Sequence, residues 1–398
     1  MHRTRNAEGL RPGWKAWRFE QIATNVNTRI DNPSESGMEH YVGLEHLDPD
    51  SLKIRRWGSP DDVEATKLVF NTGDIIFGRR RAYQRKLGVA EFDGICSAHA
   101  MVLRAKHEVV LSDFLPYFMQ SDVFMNRAIE ISVGSLSPTI NWKTMAGQTF
   151  ALPPLDDQAS LTSQFSSADE LLHELESAYL ALEVVECSAI QSVLGNEANW
   201  RMTNMRSIVV SIDAGKSPKA SSLPAESHEL GVLKVSAVGS QGYCPEENKA
   251  LLNPEDFVPD ATVKAGNFLV TRANAQPQGV ARTCLVESTP SNLMLSDKTW
   301  RLNFTSDAPP KRFILAWTKF PKFRAYIEAL CSGTEAKNIS QEKFLSGPMV
   351  SLDKRQHGDI DRVLEQTDSA RKALDARMHV AISIKRALLQ KVFGEAQL

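Results

Sequence analysis

The densest run of chemistry-bearing side chains in this 398-residue sequence is Arg79-Arg80-Arg81-Ala82-Tyr83-Gln84-Arg85-Lys86, cations with an aromatic ring and an amide set among them. Guanidinium groups suit phosphate oxygens and guanine edges, and a carboxamide suits adenine, so the run offers both kinds of contact that nucleic-acid recognition needs. It directly follows Gly78 in a turn between strand-like stretches, and a tip of that kind can reach into a groove; a solvated surface loop is the alternative. The matching place in the second half of the chain, Arg272-Ala273-Asn274-Ala275-Gln276-Pro277-Gln278, is rich in amides rather than cations. One scaffold carrying two sets of reading groups would recognise two different short sequences.

Softer candidates lie elsewhere. Lys53, Arg55 and Arg56 before Trp57, and Lys216 and Lys219 around Ser217-Pro218, form basic turns that suit phosphates or simply solvation. Ser135, Ser137 and Thr139 precede Asn141 and Lys143, placed either to cap the next helix or to meet a phosphate. His99 lies inside an apolar strand and reads as a hydrogen-bonded core residue.

The chemistry that is missing is equally informative. The sequence has no G-x-x-x-x-G-K-[ST] loop, no G-x-G-x-x-G after a strand, and no N-P-P-[YF] or F-x-G-x-G pair of an amino-methyltransferase. Pro60-Asp61-Asp62 with Glu64 and Lys67 resembles a nuclease pattern superficially, but the spacing from Glu64 to Lys67 is wrong for two metal-facing groups on one strand. Cys96, Cys187, Cys244, Cys284 and Cys331 are an odd number, widely spaced and without a C-x-x-C pair, so neither a disulfide framework nor a zinc module is expected. A net charge of −2 excludes a uniformly basic protein, though not local basic patches, and 42% apolar residues exclude disorder as the main state. Met1 to Trp14 carries arginines but no apolar stretch of a secretory signal, and no uncharged apolar run of about 18 residues occurs. We therefore expect a soluble, cytoplasmic reader with no catalytic residue, metal or cofactor of its own.

The elements that must position these groups come in two copies. Trp17-Arg18 leads to Ile22 as Trp200-Arg201 leads to Met205, and Asn71 to Arg79 is echoed by Lys264 to Arg272, each a Gly-Asp or Gly-Asn turn before an apolar strand. Gly134 to Ile140 recurs as Gly333 to Ile339, Ala151 to Gln158 as Met349 to Gln356, and Val193-Leu194-Gly195 as Val392-Phe393-Gly394. Each copy closes with a heptad-like seam. The first runs Leu161, Phe165, Ala168, Leu172, Leu175, Tyr179, Leu182, then loosely Ala189 and Val193; the second runs Ile360, Leu364, Thr367, Leu374, Met378, Ala381, Leu388, Val392, with Arg371 and Lys385 intruding. So narrow a seam suits a partner helix, and the obvious partner is the other copy. Between the seams, short strands and a helix around Phe114 to Ile131, with its counterpart near Arg312 to Leu330, predict compact α+β domains.

These residues resemble the DNA-specificity (S) subunit of type I restriction-modification enzymes, over nearly the whole chain. Trp17-Arg18 to Ile22 is similar to that family's domain opening, Asn71 to Arg79 to its Gly-Asp strand, Gly134 to Ile140 to its G-S-x-x-x-x-I segment, and Leu152-Pro153-Pro154-Leu155-Asp156-Asp157-Gln158 to its P-P-L-x-E-Q helix entry, with Asp157 in place of Glu. The second copy, Ser351 to Gln356, lacks both prolines. The resemblance implies target recognition domains at 1–152 and 197–350 and antiparallel spacer helices at 153–196 and 351–398. It implies double-stranded DNA, two methyltransferase subunits and restriction subunits as partners, those subunits supplying S-adenosylmethionine, ATP and Mg chemistry. About 35 helical residues at roughly 1.5 Å each give a rod near 50 Å, a spacer suited to a bipartite target with an unspecified gap. Two rivals stand beside this reading: a self-contained nuclease or methyltransferase with an unfamiliar site, and a coiled-coil scaffold that binds only proteins.

Overall fold

A computed structural model describes residues 10–134, 137–221, 223–239, 242–274, 277–331 and 337–394. Ser135 and Gln276 lie outside the described residues. The chain divides into two compact units, Met1–Glu176 with Asp375–Leu398, and Ser177–Leu374.

Each unit is built around a four-stranded antiparallel sheet. In the first, the order is Ala23–Val26, Ala100–Ala105, Ile75–Gly78, Leu87–Val89; in the second it is Val209–Ala214, Thr299–Phe304, Phe268–Thr271, Thr283–Leu285. The inner strand after the Gly-Asp turn is apolar at successive positions because both of its faces are covered. Ile75 and Phe77 enter one core cluster and Ile76 another; Phe268 and Val270 enter one and Leu269 another, as the two-residue period of a strand requires. A second sheet backs each one, four-stranded in the first unit and three-stranded in the second, and contains one parallel pair, Tyr41–Val42 on Gly94–Ser97 in the first unit and Gly231–Leu233 on Leu293–Met294 in the second. The architecture is α+β, as the sequence predicts.

The turns that launch the inner strands are the same turn. Gly73 and Gly266 take φ of 88° and 80°, a region glycine enters without penalty. The Asn71 N–H donates to Asp74 Oδ2 and the Lys264 N–H to Asn267 Oδ1, each at 2.9 Å. Asp74 is buried and also receives a two-pronged ion pair from Arg104, at 2.7 and 2.8 Å.

Three expectations are revised. The helix around Phe114 to Ile131 is two helices, Leu115–Gln120 and Asp122–Glu130, because extended Ser121 ends one and caps the other; its counterpart likewise divides into Lys311–Trp317 and Pro321–Leu330. The tryptophan echo shifts by three positions. The Phe19 N–H donates to the Gln148 carbonyl as the Met205 N–H does to the Gly347 carbonyl, so Trp14, rather than Trp17, is the counterpart of Trp200. Both tryptophans lie beneath a cation, Arg11 and Lys322 respectively. Arg371 and Lys385, finally, belong to the helix seam.

The long helices, Leu155–Leu194 and Lys354–Phe393, have 40 residues each, and each contributes one half to each unit. In the first unit, Phe165 meets Phe393 and Asp169 receives Lys385 Nζ at 2.6 Å. In the second, Glu186 receives Arg371 at 2.7 Å and the Thr367 hydroxyl at 3.2 Å. In both places a rising number on one helix meets a falling number on the other, so the halves are antiparallel. The first seam drifts from its expected register after Tyr179: Glu186, Ile190 and Leu194 are buried, while Ala189 and Val193 are only partly so. The cores are completed by helix ends from opposite copies, Leu389, Val392 and Phe393 in the first unit, Ile190 and Leu194 in the second.

Leu155–Leu194 also contains an 18-residue stretch of mean hydropathy 1.2, apolar enough by length and composition to cross a membrane. Its Glu183 and Glu186 are held in ion pairs by Lys319 and Arg371.

The helix entries differ. Gln158 of the first copy is fully buried, accepting from the Leu111 N–H at 2.9 Å and donating to the Val109 and Pro153 carbonyls at 3.0 and 2.9 Å. Gln356 instead exchanges bonds with Asp353, Oε1 accepting from the Asp353 N–H and its own N–H donating to Asp353 Oδ1, which caps the helix without prolines.

Candidate nucleic-acid interface

The basic run leaves the first inner strand and closes a short turn, Ala82–Gln84, between two residues in the left-handed region, Arg81 at φ 60° and Arg85 at φ 52°. Non-glycine residues occupy that region at a cost, so surrounding contacts must hold it. On one side, Arg85 Nε bonds Asp50 at 2.6 Å, while its terminal nitrogens bond Asp122 at 3.0 Å and the Gln120 carbonyl at 2.6 Å. On the other, the Arg81 N–H donates to the Pro138 carbonyl at 2.7 Å.

That second contact joins two repeated segments which the sequence shows only separately. The Ile140 N–H donates to the Arg79 carbonyl at 3.0 Å, and the Ile339 N–H donates to the Arg272 carbonyl at 3.0 Å. Arg80 bridges Thr139, and Ala273–Asn274 pairs with Lys337–Asn338. In both units the tip therefore sits beside the segment that ends on the buried isoleucine. The signal was the recurrence of both segments, but nothing in their spacing places them side by side.

Electrostatics sorts the predicted residues. Arg55 pairs with Glu176 at 2.7 Å and Asp48 at 3.5 Å, Arg56 pairs with Asp48, and Arg85 with Asp50 and Asp122. Lys86 Nζ donates to the Leu44 carbonyl at 2.7 Å. These are contacts that hold the unit together. Arg79, Arg80 and Arg81 differ: among the described residues none of them pairs with a carboxylate. Arg79 donates to the Ala98 carbonyl at 3.0 Å, Arg80 meets His99 Nε2 at 3.1 Å, and Arg80 and Arg81 both donate to Ser137 Oγ at 3.2 Å.

His99 is not in the core. It occupies the exposed turn between Gly94–Ser97 and Ala100–Ala105, where its apolar flanks belong to the strands and its own ring meets the tip. Partial burial and the neighbouring Arg80, Arg79 and Lys67 hold its pKa below the ordinary value. Ser137 accepts guanidinium N–H groups, while the cap of helix Trp142–Ala146 is Asn141. Tyr83 and Gln84 are half-buried.

In the second unit, Arg272 and Gln278 are exposed and Asn274 is half-buried beside Gly279. Arg324, from the helix behind, donates to the Val280 carbonyl at 3.1 Å. Lys216 and Lys219 are exposed, away from this ladder in sequence, and Lys216 and Ser217 line a polar cavity of about 540 Å³ with Glu255 and Asp256. That acidic lining disfavours a phosphate there.

The described residues hold no cluster of three or more metal-ligating side chains. Pro60–Asp62 forms a short turn capped by Ser59, and Lys67 is buried over the Tyr41 ring. The five cysteines are free, and burial raises the thiol pKa of Cys96 and Cys284.

Two α+β units with tips of different chemistry at equivalent places make a duplicated scaffold. The chain is 32% identical over 233 residues to the EcoEI type I restriction enzyme specificity subunit of Escherichia coli, covering 55% of this chain and 38% of that protein. It is 24% identical over 210 residues to the EcoDI specificity subunit, covering 51% and 46%, and 22% identical over 387 residues to the EcoKI specificity subunit, covering 92% and 80%. The chain thus matches less than half the length of the first two. Among solved structures it is similar to an HsdS subunit from Thermoanaerobacter tengcongensis, at 19% identity, TM-score 0.40 and coverage of 96% and 97%, and to a type I S subunit from M. genitalium, at 12%, 0.44 and 98% of each chain. No family model matches. The curated relatives are specificity subunits of type I restriction enzymes, the same class that the sequence motifs resemble.

Proposed function

We propose that this chain is the non-catalytic specificity subunit of a type I restriction-modification complex and reads a bipartite target in double-stranded DNA. The observation that carries this reading is the pair of tips at equivalent places on one scaffold, beginning Arg79-Arg80-Arg81 in one unit and Arg272-Ala273-Asn274 in the other, with different side chains. In this reading two methyltransferase subunits supply S-adenosylmethionine and methyl transfer, restriction subunits supply ATP- and Mg-dependent translocation and cleavage, and the assembly works in the cytoplasm. Its own residues bind and position the duplex. The test is incubation of the purified full chain with duplex DNA, Mg²⁺ and labelled S-adenosylmethionine: we expect salt-dependent binding and no turnover. Turnover by the isolated chain would replace this reading with that of a self-contained enzyme, and absence of DNA binding with that of a protein scaffold.

A further inference from the structure

We propose that Arg80 and Arg81, converging on the Ser137 hydroxyl, form a seat for one phosphate of the DNA backbone, and that base reading at this tip falls to Tyr83 and Gln84. The inference rests on the proposed function and divides its first tip into two jobs.

Two guanidiniums share one neutral oxygen at 3.2 Å each. Each guanidinium carries five N–H donors, and among the described residues no carboxylate compensates either charge. Their neighbours bring no anion: Arg79 is a third cation, and His99 accepts from Arg80 through Nε2 at 3.1 Å. Backbone bonds hold like charges together: the Arg80 N–H donates to the His99 carbonyl at 3.3 Å and the Arg81 N–H to the Pro138 carbonyl at 2.7 Å. A fixed pair of guanidiniums facing only neutral acceptors matches a tetrahedral anion.

The next turn is different. Tyr83 and Gln84 stand between the left-handed Arg81 and Arg85, and neither side chain has a hydrogen-bond partner among the described residues. Arg85 anchors the rear of the turn to Asp50, Asp122 and the Gln120 carbonyl. A tethered turn that presents a ring and an unused amide is equipped for base edges. Among the described residues of the second unit the guanidinium pair is not repeated, because Ala273 and Asn274 occupy the places of Arg80 and Arg81 on the ladder.

The full chain is titrated with short random-sequence duplex across a salt series, and preferred sequences are selected from the same pool. Replacing both arginines, Arg80→Ala with Arg81→Ala, lowers the log–log salt slope by about 0.9, the value of one phosphate, and leaves the selected sequence unchanged. Gln84→Ala keeps the slope and loses about tenfold discrimination at one or more base positions. The paired Arg80→Lys and Arg81→Lys change retains the slope, which separates lost charge from lost folding. An unchanged slope, a loss of about 1.8 that signals two separate phosphates, or an altered sequence preference in the arginine variant overturns the seat while the wild-type chain still binds. Failure of the wild-type chain to bind duplex at all overturns the proposed function together with it.

Discussion

The two units place their charges at opposite ends of the same design. The first holds guanidiniums with no carboxylate partner among the described residues at its tip and seats the end of one long helix among rings, Phe393 against Phe165, Phe118, Phe114 and Trp14, with the single ion pair Asp169–Lys385 between its helix halves. The second has an amide-rich tip and a charged seam: Glu186 with Arg371 at 2.7 Å, Arg312 with Asp368 at 2.5 Å, and Lys319 with Glu183. The backbone bonds from Ile140 to Arg79 and from Ile339 to Arg272 recur, whereas the side chains of the tips do not. A duplicated scaffold can thus keep its ladder and exchange its reading groups, and a net charge of −2 averages over that division of labour.

If the first unit is held by rings, truncating them has the largest effect. Phe393→Ala is expected to destabilise that unit by about 4 kcal/mol, since a buried aromatic leaves a large cavity, while its counterpart Leu194→Ala costs the second unit about 3 kcal/mol. Denaturant midpoints, resolved by hydrogen exchange in each unit, give both numbers; equal losses confined to one unit would break the comparison. Glu186→Ala comes next, at about 3 kcal/mol, because it removes the nearest counter-charge of the partly buried Arg371 and leaves only Glu183 at 4.0 Å. Replacing Glu186 and Arg371 together by methionine should recover most of that loss. If Glu186→Ala costs nothing, the charged seam is ornamental and the second unit is held by its apolar core alone.

How much of this was legible in the sequence depends on whether a feature is local. The Gly-Asp turns, the apolar inner strands and the α+β class follow from residue type and period, so Asn71 to Arg79 and Lys264 to Arg272 are where they were expected. The long helices announced themselves by period as well. What failed was placement across the chain. Arg371 and Lys385 read as intrusions because a heptad pattern scores side chains singly, and only the facing Glu186 and Asp169 show them to be paired. Arg85 reads as one run with Arg79 to Arg81, and Arg55 and Arg56 as softer candidates, but among the described residues carboxylates claim these three and not the other three. His99 departs from its expected place for the opposite reason: apolar flanks do not distinguish a strand interior from the turn between two strands. Residue identity pairs Trp17 with Trp200, whereas hydrogen-bond register pairs Trp14 with it.

The smallest expected difference between the units is their response to mild acid. His46 is buried in the first unit, where its Nδ1 accepts the Gly43 N–H at 3.0 Å. Burial lowers its pKa below the ordinary 6.5, Arg56 and Lys86 push in the same direction, and Glu45 and the bond at Tyr41 oppose them. His99 is lowered too, by burial and by Arg80, Arg79 and Lys67. A histidine with a depressed native pKa binds fewer protons folded than unfolded, so its contribution is complete above pH 6.5 and is lost as pH falls through the native value. His228 of the second unit is exposed beside Glu226 and has no comparable burial. Lowering pH from about 7.5 to about 5.5 crosses the histidine range while staying above ordinary carboxylate values, so Asp213 and Asp368, held low in the second unit, remain charged. Hydrogen exchange should therefore report a stability loss in the first unit and little in the second. The pair His46→Gln with His99→Gln should remove that difference, since glutamine can accept the Gly43 N–H but cannot take up the proton; a persistent acid response in the first unit would assign it to other groups.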